Sequence, residues 1–214
     1  MPADAQTVCF SDSRHGWLGA AGQLYATSDG GRVWTTLTQA AGLDGAGGTA
    51  VMSVECASGA AWAERAGPGA GMSQQQHVAY HAGPAAATAI FAEQYFQGGA
   101  PPATGSPGSD AGPFSAIDSA DAVFVDSCPA CGSGTAPWGL ATRSGAVFTQ
   151  RGNVGGITRP AAASFLSARV GWVAGSATVY GSPGQSKSQD RIVATSDGGR
   201  TWHVEWKGPW TTAA

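Results

Sequence analysis

"ATSDGGRVW" occupies Ala26–Trp34 and "ATSDGGRTW" occupies Ala194–Trp202, near opposite ends of a 214-residue chain. Eight of the nine residues recur in order. Asp-Gly between two apolar runs is a strong hairpin signal. The glycines allow positive φ without a steric cost. The Asp carboxylate and Thr hydroxyl can bond backbone groups inside the turn and fix its shape. Each stretch therefore predicts a rigid hairpin whose Trp opens the next strand.

The recurrence extends upstream. "CFSDSRHGWLG" (Cys9–Gly19) aligns with "SFLSARVGWVA" (Ser164–Ala174), matching Phe10 to Phe165, Arg14 to Arg169, and Gly16-Trp17 to Gly171-Trp172. The repeated unit is thus four short strands: an apolar strand, a Gly-Trp strand, a third strand before the turn, and a fourth after it. Two worn copies lie between. Ala50–Glu64 with Val78–Glu93 carries Trp62 in the Gly-Trp place, with Gly83-Pro84 at the turn. Phe114–Asp126 with Trp138–Gln150 carries Phe148 where the fourth-strand Trp should stand. The fourth-strand anchors Trp34, Ile90, Phe148 and Trp202 are spaced by 56, 58 and 54 residues. A period of this size, built of four strands per unit, is a propeller signature. Each small sheet buries its faces only by stacking on its neighbours. The expected fold is all-β: a single domain over 1–214, a β-propeller of about four four-stranded antiparallel blades, with units at about 5–40, 48–96, 113–152 and 160–207. Both end units look complete, so no strand exchange is expected to close the ring. The chain could belong to a larger propeller or pair with another copy.

The turn resembles the Asp-box, or BNR repeat, of the form S/T-x-D-x-G-x-T-W. Thr27, Asp29, Gly31 and Trp34 match it, as do Thr195, Asp197, Gly199 and Trp202. That motif is shared by sialidases, xyloglucanases, sortilin-type receptors and photosystem II assembly factors. With the upstream Phe and Gly-Trp it is most similar to the last, YCF48-like, group. The resemblance implies that the motif sits in the hairpin between third and fourth strands, away from any ligand face, and holds structure.

Composition narrows the function. Charged residues are only 12%, the net charge is −3, and no Lys/Arg run exists. Nucleic-acid binding through a basic face is not expected, nor is attachment to an anionic membrane. No apolar run is long enough to span a bilayer. "MPADAQTV" lacks the charged and apolar regions of a signal peptide. Few charges, eight Trp and four Cys nevertheless point to the extracellular space or cell envelope, with a cytoplasmic location as the alternative.

Candidates for chemistry are sparse. A sialidase-like enzyme needs an arginine cluster, an acid/base Asp and a Tyr/Glu pair. Only four Glu exist, and none near a Tyr forms such a pattern. A glycosidase needs two carboxylates facing each other across a cleft. Asp118, Asp121 and Asp126 are near in sequence, but their alternation with Ala and Val reads as loop-flanking surface. His77 and His81 share one side of a strand about 13 Å apart, too far for one metal. No metal or other cofactor is expected. Cys128 and Cys131 form a CxxC in a Gly/Ser/Pro loop, read as a local disulfide. Cys9 and Cys56 start neighbouring units and could pair across blades or stay as buried thiols; the buried reading is favoured, since blades are often too far apart for the bond.

The repeated Trp17, Trp34, Trp62, Trp172 and Trp202 read as core between blades. The non-repeating aromatics Trp138, Tyr95, Phe96, Tyr180 and Trp210 lie beside irregular segments, where propellers usually place function. Three such segments break the repeat: 67–76, 97–113 and 181–190. The functional expectation is a non-catalytic binding or assembly-scaffold propeller whose partner is another protein or a glycan. The alternative is a carbohydrate-binding or glycoside-hydrolase-type propeller of the sialidase or xyloglucanase kind.

Overall fold

The computed structural model describes residues 2–39, 51–69, 75–93, 106–128, 135–179 and 186–212. Among them there is no α-helix, and so no helix long and apolar enough to cross a membrane. Among the described residues eighteen strands form four sheets, antiparallel apart from one short parallel edge strand. Blade 1 holds β1 (Ala5–Phe10), β2 (Gly16–Ala20), β3 (Gln23–Thr27) and β4 (Thr35–Thr36), in that order. Blade 2 holds β6 (Val51–Ala57), β7 (Ala60–Gly69), β8 (Gln75–Ala82) and β9 (Ala86–Glu93), with β5 (Thr38–Gln39) added in parallel on β9. Blade 3 holds β10 (Phe114–Ala116), β11 (Asp121–Val125), β12 (Pro137–Thr142) and β13 (Val147–Asn153). Blade 4 holds β14 (Arg159–Phe165), β15 (Gly171–Val179), β16 (Lys187–Thr195) and β17 (His203–Lys207), with β18 (Thr211–Thr212) also on β16. The all-β reading and the four four-stranded units are what the repeat predicted.

The two copies of the quoted turn fold identically. Thr27 Oγ1 donates to Asp29 Oδ1 at 2.8 Å and accepts from Gly31 N–H at 3.0 Å, while Asp29 Oδ1 accepts from Val33 N–H at 3.0 Å. Thr195, Gly199, Asp197 and Thr201 repeat these bonds, and Thr201 adds its hydroxyl to Asp197 Oδ2 at 2.7 Å. Both central glycines of each copy have positive φ, between 75° and 85°. Gly30 N–H and Gly198 N–H donate to the carbonyls of Arg14 and Arg169, tying each turn to its own β1–β2 or β14–β15 hairpin. The hydrogen bonds hold the Asp197 carboxyl down to about 2, through the Thr201 hydroxyl first and its N–H second.

The blades pack face to face, β1 on β6, β6 on β10 and β10 on β14. Three separate cores fill the junctions. Trp17, Leu24, Met52 and Tyr80 lie between blades 1 and 2. Trp62, Phe91, Phe124 and Phe148 lie between blades 2 and 3, and Trp138, Phe165, Val173 and Val193 between blades 3 and 4. The central strands of blades 2 and 3 are therefore covered on both faces; in β8 the last six residues are all buried. Polar bonds repeat at each junction. Gln6 Oε1 accepts from Met52 N–H, Glu55 Oε2 from Ala116 N–H, and Ser115 Oγ from Phe165 N–H, at 2.8–2.9 Å. The Trp17 indole donates to Gly83 O and the Trp62 indole to Asp118 O in the following blade.

Two expectations are corrected here. Cys9 and Cys56 are not buried thiols but a disulfide, with Cα atoms 5.6 Å apart. The innermost strands β1 and β6 converge at the hub, where adjacent blades come within reach of the bond. Trp138 is not beside a ligand surface. It is 1% exposed, stacked on Phe165 at 5.8 Å and edge-on to Trp202 at 5.9 Å. It fills the junction from β12 because Val123, its blade's residue in the Gly-Trp place, is too small to do so.

Candidate functional site under the irregular loops

Antiparallel order puts the β1–β2 and β3–β4 hairpins of every blade at one end. The middle connections and the links between blades lie at the other end. The repeated turns belong to the first end. The irregular segments singled out above belong to the second; they lie partly outside the described residues, as do Tyr95, Phe96 and Tyr180.

Beneath the second end, at the junction of blades 2 and 3, three ionisable side chains meet. His77, near the start of β8, bonds Glu64 of β7 through Nδ1 at 2.8 Å. Its Nε2 lies 3.6 Å from Oδ2 of Asp126, just past β11. The side chains are 0%, 3% and 0% exposed. Burial disfavours the imidazolium. The bond to Glu64 and the charges of Asp126 and Glu64 more than offset this, and the ring's pKa rises to about 9. Burial pushes the Glu64 carboxyl up, with His77 opposing. The result is an imidazole held between two buried carboxyl groups.

The segment after residue 105 is laced onto this triad. Asp126 Oδ2 also accepts from Gly108 N–H at 3.1 Å, and Gly108 O lies 3.4 Å from His77 Nε2. Ser109 and Asp110 N–H donate to Ser127 O, and Gln75 N–H donates to Ser109 O. Gly108 has no room for a side chain: a Cβ there would sit 2.6 Å from Ser127 O and 2.7 Å from Asp126 Cβ. The triad thus fixes the end of the blade 2 to blade 3 link against β8 and β11.

Sequence reasoning kept Asp126 with Asp118 and Asp121 as surface residues; it is fully buried instead. Asp118 caps its turn by accepting from Ala120 and Asp121 N–H, and Asp121 accepts from the Thr142 hydroxyl. Those two lie at the opposite end of the blade from Asp126, so the three do not converge. His77 and His81 also part company: His81 contacts Ser119 O, with its ring edge-on to Trp62.

Glu64, His77 and Asp126 carry donor types that bind metals, with ligand atoms within 4.8 Å of one another. Sequence reading named no metal ligands and did not bring these three together. In this arrangement each carboxylate is aligned with its own ring nitrogen, Glu64 with Nδ1 and Asp126 with Nε2.

Among the described residues, two open clefts lie at the repeated-turn end. One, of about 230 Å³, is lined by His81, Gly83, Ala86, Thr88, Ile90 and Arg143. The other, of about 290 Å³, lies beside Thr27, Asp29, Val33 and Pro84. Trp210 is 46% exposed, with Arg191 over its ring at 5.7 Å. Cys128 is disulfide-bonded; its expected partner Cys131 lies outside the described residues.

No family profile matches the chain, and no curated protein matches it. Among solved structures, it is similar to the GH74 enzyme of Niastella koreensis, with a TM-score of 0.54 and 13% identity. The match covers 94% of this chain and 29% of that one. A polysaccharide lyase of family PL25, an ulvan lyase, matches at a TM-score of 0.48 and 10% identity, over 96% of this chain and 55% of that one. The chain thus spans well under two thirds of either. The architecture is that of β-propeller proteins: four blade-like sheets packed in series.

Proposed function

We propose that this chain is a non-catalytic, exported binding propeller of the Asp-box type, most similar to the YCF48-like scaffolds. Its ligand-bearing end is the one with the irregular loops. The observation that carries this reading is the fate of the carboxylates. Glu64 and Asp126, which face each other across His77, are sealed from solvent. Glu55 is committed to Ala116 N–H, and Asp118 and Asp121 to their own blade. Neither of the two clefts described above is lined by the pair of carboxylates that glycoside hydrolysis requires. The inter-blade disulfide supports an oxidising compartment. The Asp29 and Asp197 turns serve as hairpin locks at the far end.

A second reading, a carbohydrate-binding or carbohydrate-active propeller, draws on the likeness to the GH74 enzyme. One experiment separates the two. The protein is incubated with xyloglucan, mixed-linkage glucan, sialosides and ulvan; reducing ends and unsaturated products are measured, and melting temperature is followed with each sugar. The expected result is no product and no shift. Product release from any polymer would refute the non-catalytic reading. A shift without product would keep it and name a glycan as the ligand, because only binding to the native state raises the melting temperature.

A further inference from the structure

Blade 4 ends in a face that, in the other blades, is never left bare. On blade 1, Trp17, Ala26, Gly19 and Leu24 share the face that packs on blade 2, paired as Trp17 with Ala26 and Gly19 with Leu24. Blade 4 repeats that pattern: Trp172 pairs with Ala194, and Ala174 with Ile192. Val173 and Val193 between them face blade 3, so Trp172 and Ile192 point away from it. Trp17 and Leu24 are 1% and 0% exposed, whereas Trp172 and Ile192 are each 37% exposed. Trp206, paired with Ile192, extends the bare face. Ser164, opposite Trp172, holds the position from which Glu55 and Ser115 accept an N–H of the next blade.

Blade 1 carries the complementary face. Thr7 and Cys9 point to blade 2, so Val8 and Phe10 point away. Phe10 and Trp34 hold the places of Phe165 and Trp202, which in blade 4 receive the ring of Trp138 between them. Phe10 is 45% exposed and Phe165 is 5% exposed. Among the described residues, no substantial packing joins β14 to β1.

We propose that the blade 4 face of one chain docks onto the blade 1 face of a second copy, continuing the blade-to-blade packing between molecules. The contact is heterologous: Trp172, Ile192 and Trp206 of one copy cover Val8, Phe10 and Trp34 of the other. Two copies related by a two-fold along the blade axis make this contact twice and close an eight-blade ring. A head-to-tail surface must either close in this way or polymerise.

The test uses the full 214-residue chain, with sedimentation velocity across a concentration series into the tens of micromolar. The expected species has twice the 21.3 kDa chain mass. Trp172→Glu damages only the blade 4 face and Val8→Glu only the blade 1 face, so each variant alone is expected to be monomeric. Mixed, they are expected to regain association in part, weaker than wild type, because the blade 4 face of Val8→Glu still meets the blade 1 face of Trp172→Glu while the second contact carries both changes. If Trp172→Glu fails to fold by circular dichroism, Ile192→Glu on the same face replaces it. A wild-type monomer throughout would overturn the proposal and leave the two faces to further blades of a longer chain. A variant that still dimerises alone, or a mixture that stays monomeric, would overturn it as well.

Discussion

Replacing Cys9 and Cys56 with serine tests how the hub is held. The disulfide links residues 47 apart in sequence. The chain-entropy relation for a closed loop of that length gives about 4 kcal/mol at 25 °C. For a protein of this size, each kcal/mol moves the melting temperature by about 2–4 °C. The double variant should therefore melt about 8–16 °C below the wild type. The assay is thermal unfolding followed by circular dichroism, with wild type in reductant measured alongside. Reductant opens the Cys128 bond too, so wild type in reductant should fall at least as far as the variant without it. A drop of less than about 3 °C for the double variant would refute the reasoning. It would mean that blades 1 and 2 are held by Trp17, Met52 and their neighbours with little constraint from the cross-link.

The raised pKa of His77 predicts alkaline weakening. Its stabilising effect is fully present below about pH 6.5 and lost as pH rises through about 9, with a size of about 3 kcal/mol; urea unfolding at pH 7 and pH 10 should show the loss, and His77→Leu should destabilise the protein by about 3–5 kcal/mol at pH 7, because it removes the imidazole that bonds Glu64 and faces Asp126. Asp197, held down to about 2, gains its bonds above the ordinary carboxylate range and loses them only as pH falls through that value, so its carboxyl carbon should titrate near pH 2 by NMR. Gly199→Ala should cost more than Gly31→Ala, although both glycines have positive φ. A Cβ at Gly199 would run into the Trp138 ring, while at Gly31 the nearest atoms are 3.5 Å away; overpacking adds about 1–3 kcal/mol to the shared backbone cost, and equal melting temperatures for the two variants would contradict the wedge seen at Trp138.

What the sequence made legible was whatever repeats. The Gly-Trp dipeptides and the two Thr-Ser-Asp-Gly-Gly turns mark strands by local chemistry alone, and Trp17 and Trp62 are buried where that register puts them. Relations between blades were not legible. Cys9 and Cys56 are in reach only because inner strands converge, which no spacing within one blade reveals. Trp138 took over a core position from a different strand, so it looked non-repeating when it was packing. Glu64, His77 and Asp126 come from three segments, each ordinary by itself. The signal that could have found them is the outlier: Glu64 and His77 interrupt otherwise apolar runs of central strands, and a charge there demands a partner.

Short as it is, β5 changes how the N-terminal half can come apart. In a stack whose units touch only neighbours through side chains, single units can fray alone. Here the chain leaving blade 1 lies along the outer edge of blade 2, with Thr38 beside Ala86 and Gln39 beside Ala87. Peeling blade 1 away would strip that strand and bare the first residues of β9, lengthening an edge open to pairing with other chains. Blades 1 and 2 are thus joined at the rim by backbone and at the hub by sulfur, and are expected to open as one cooperative block.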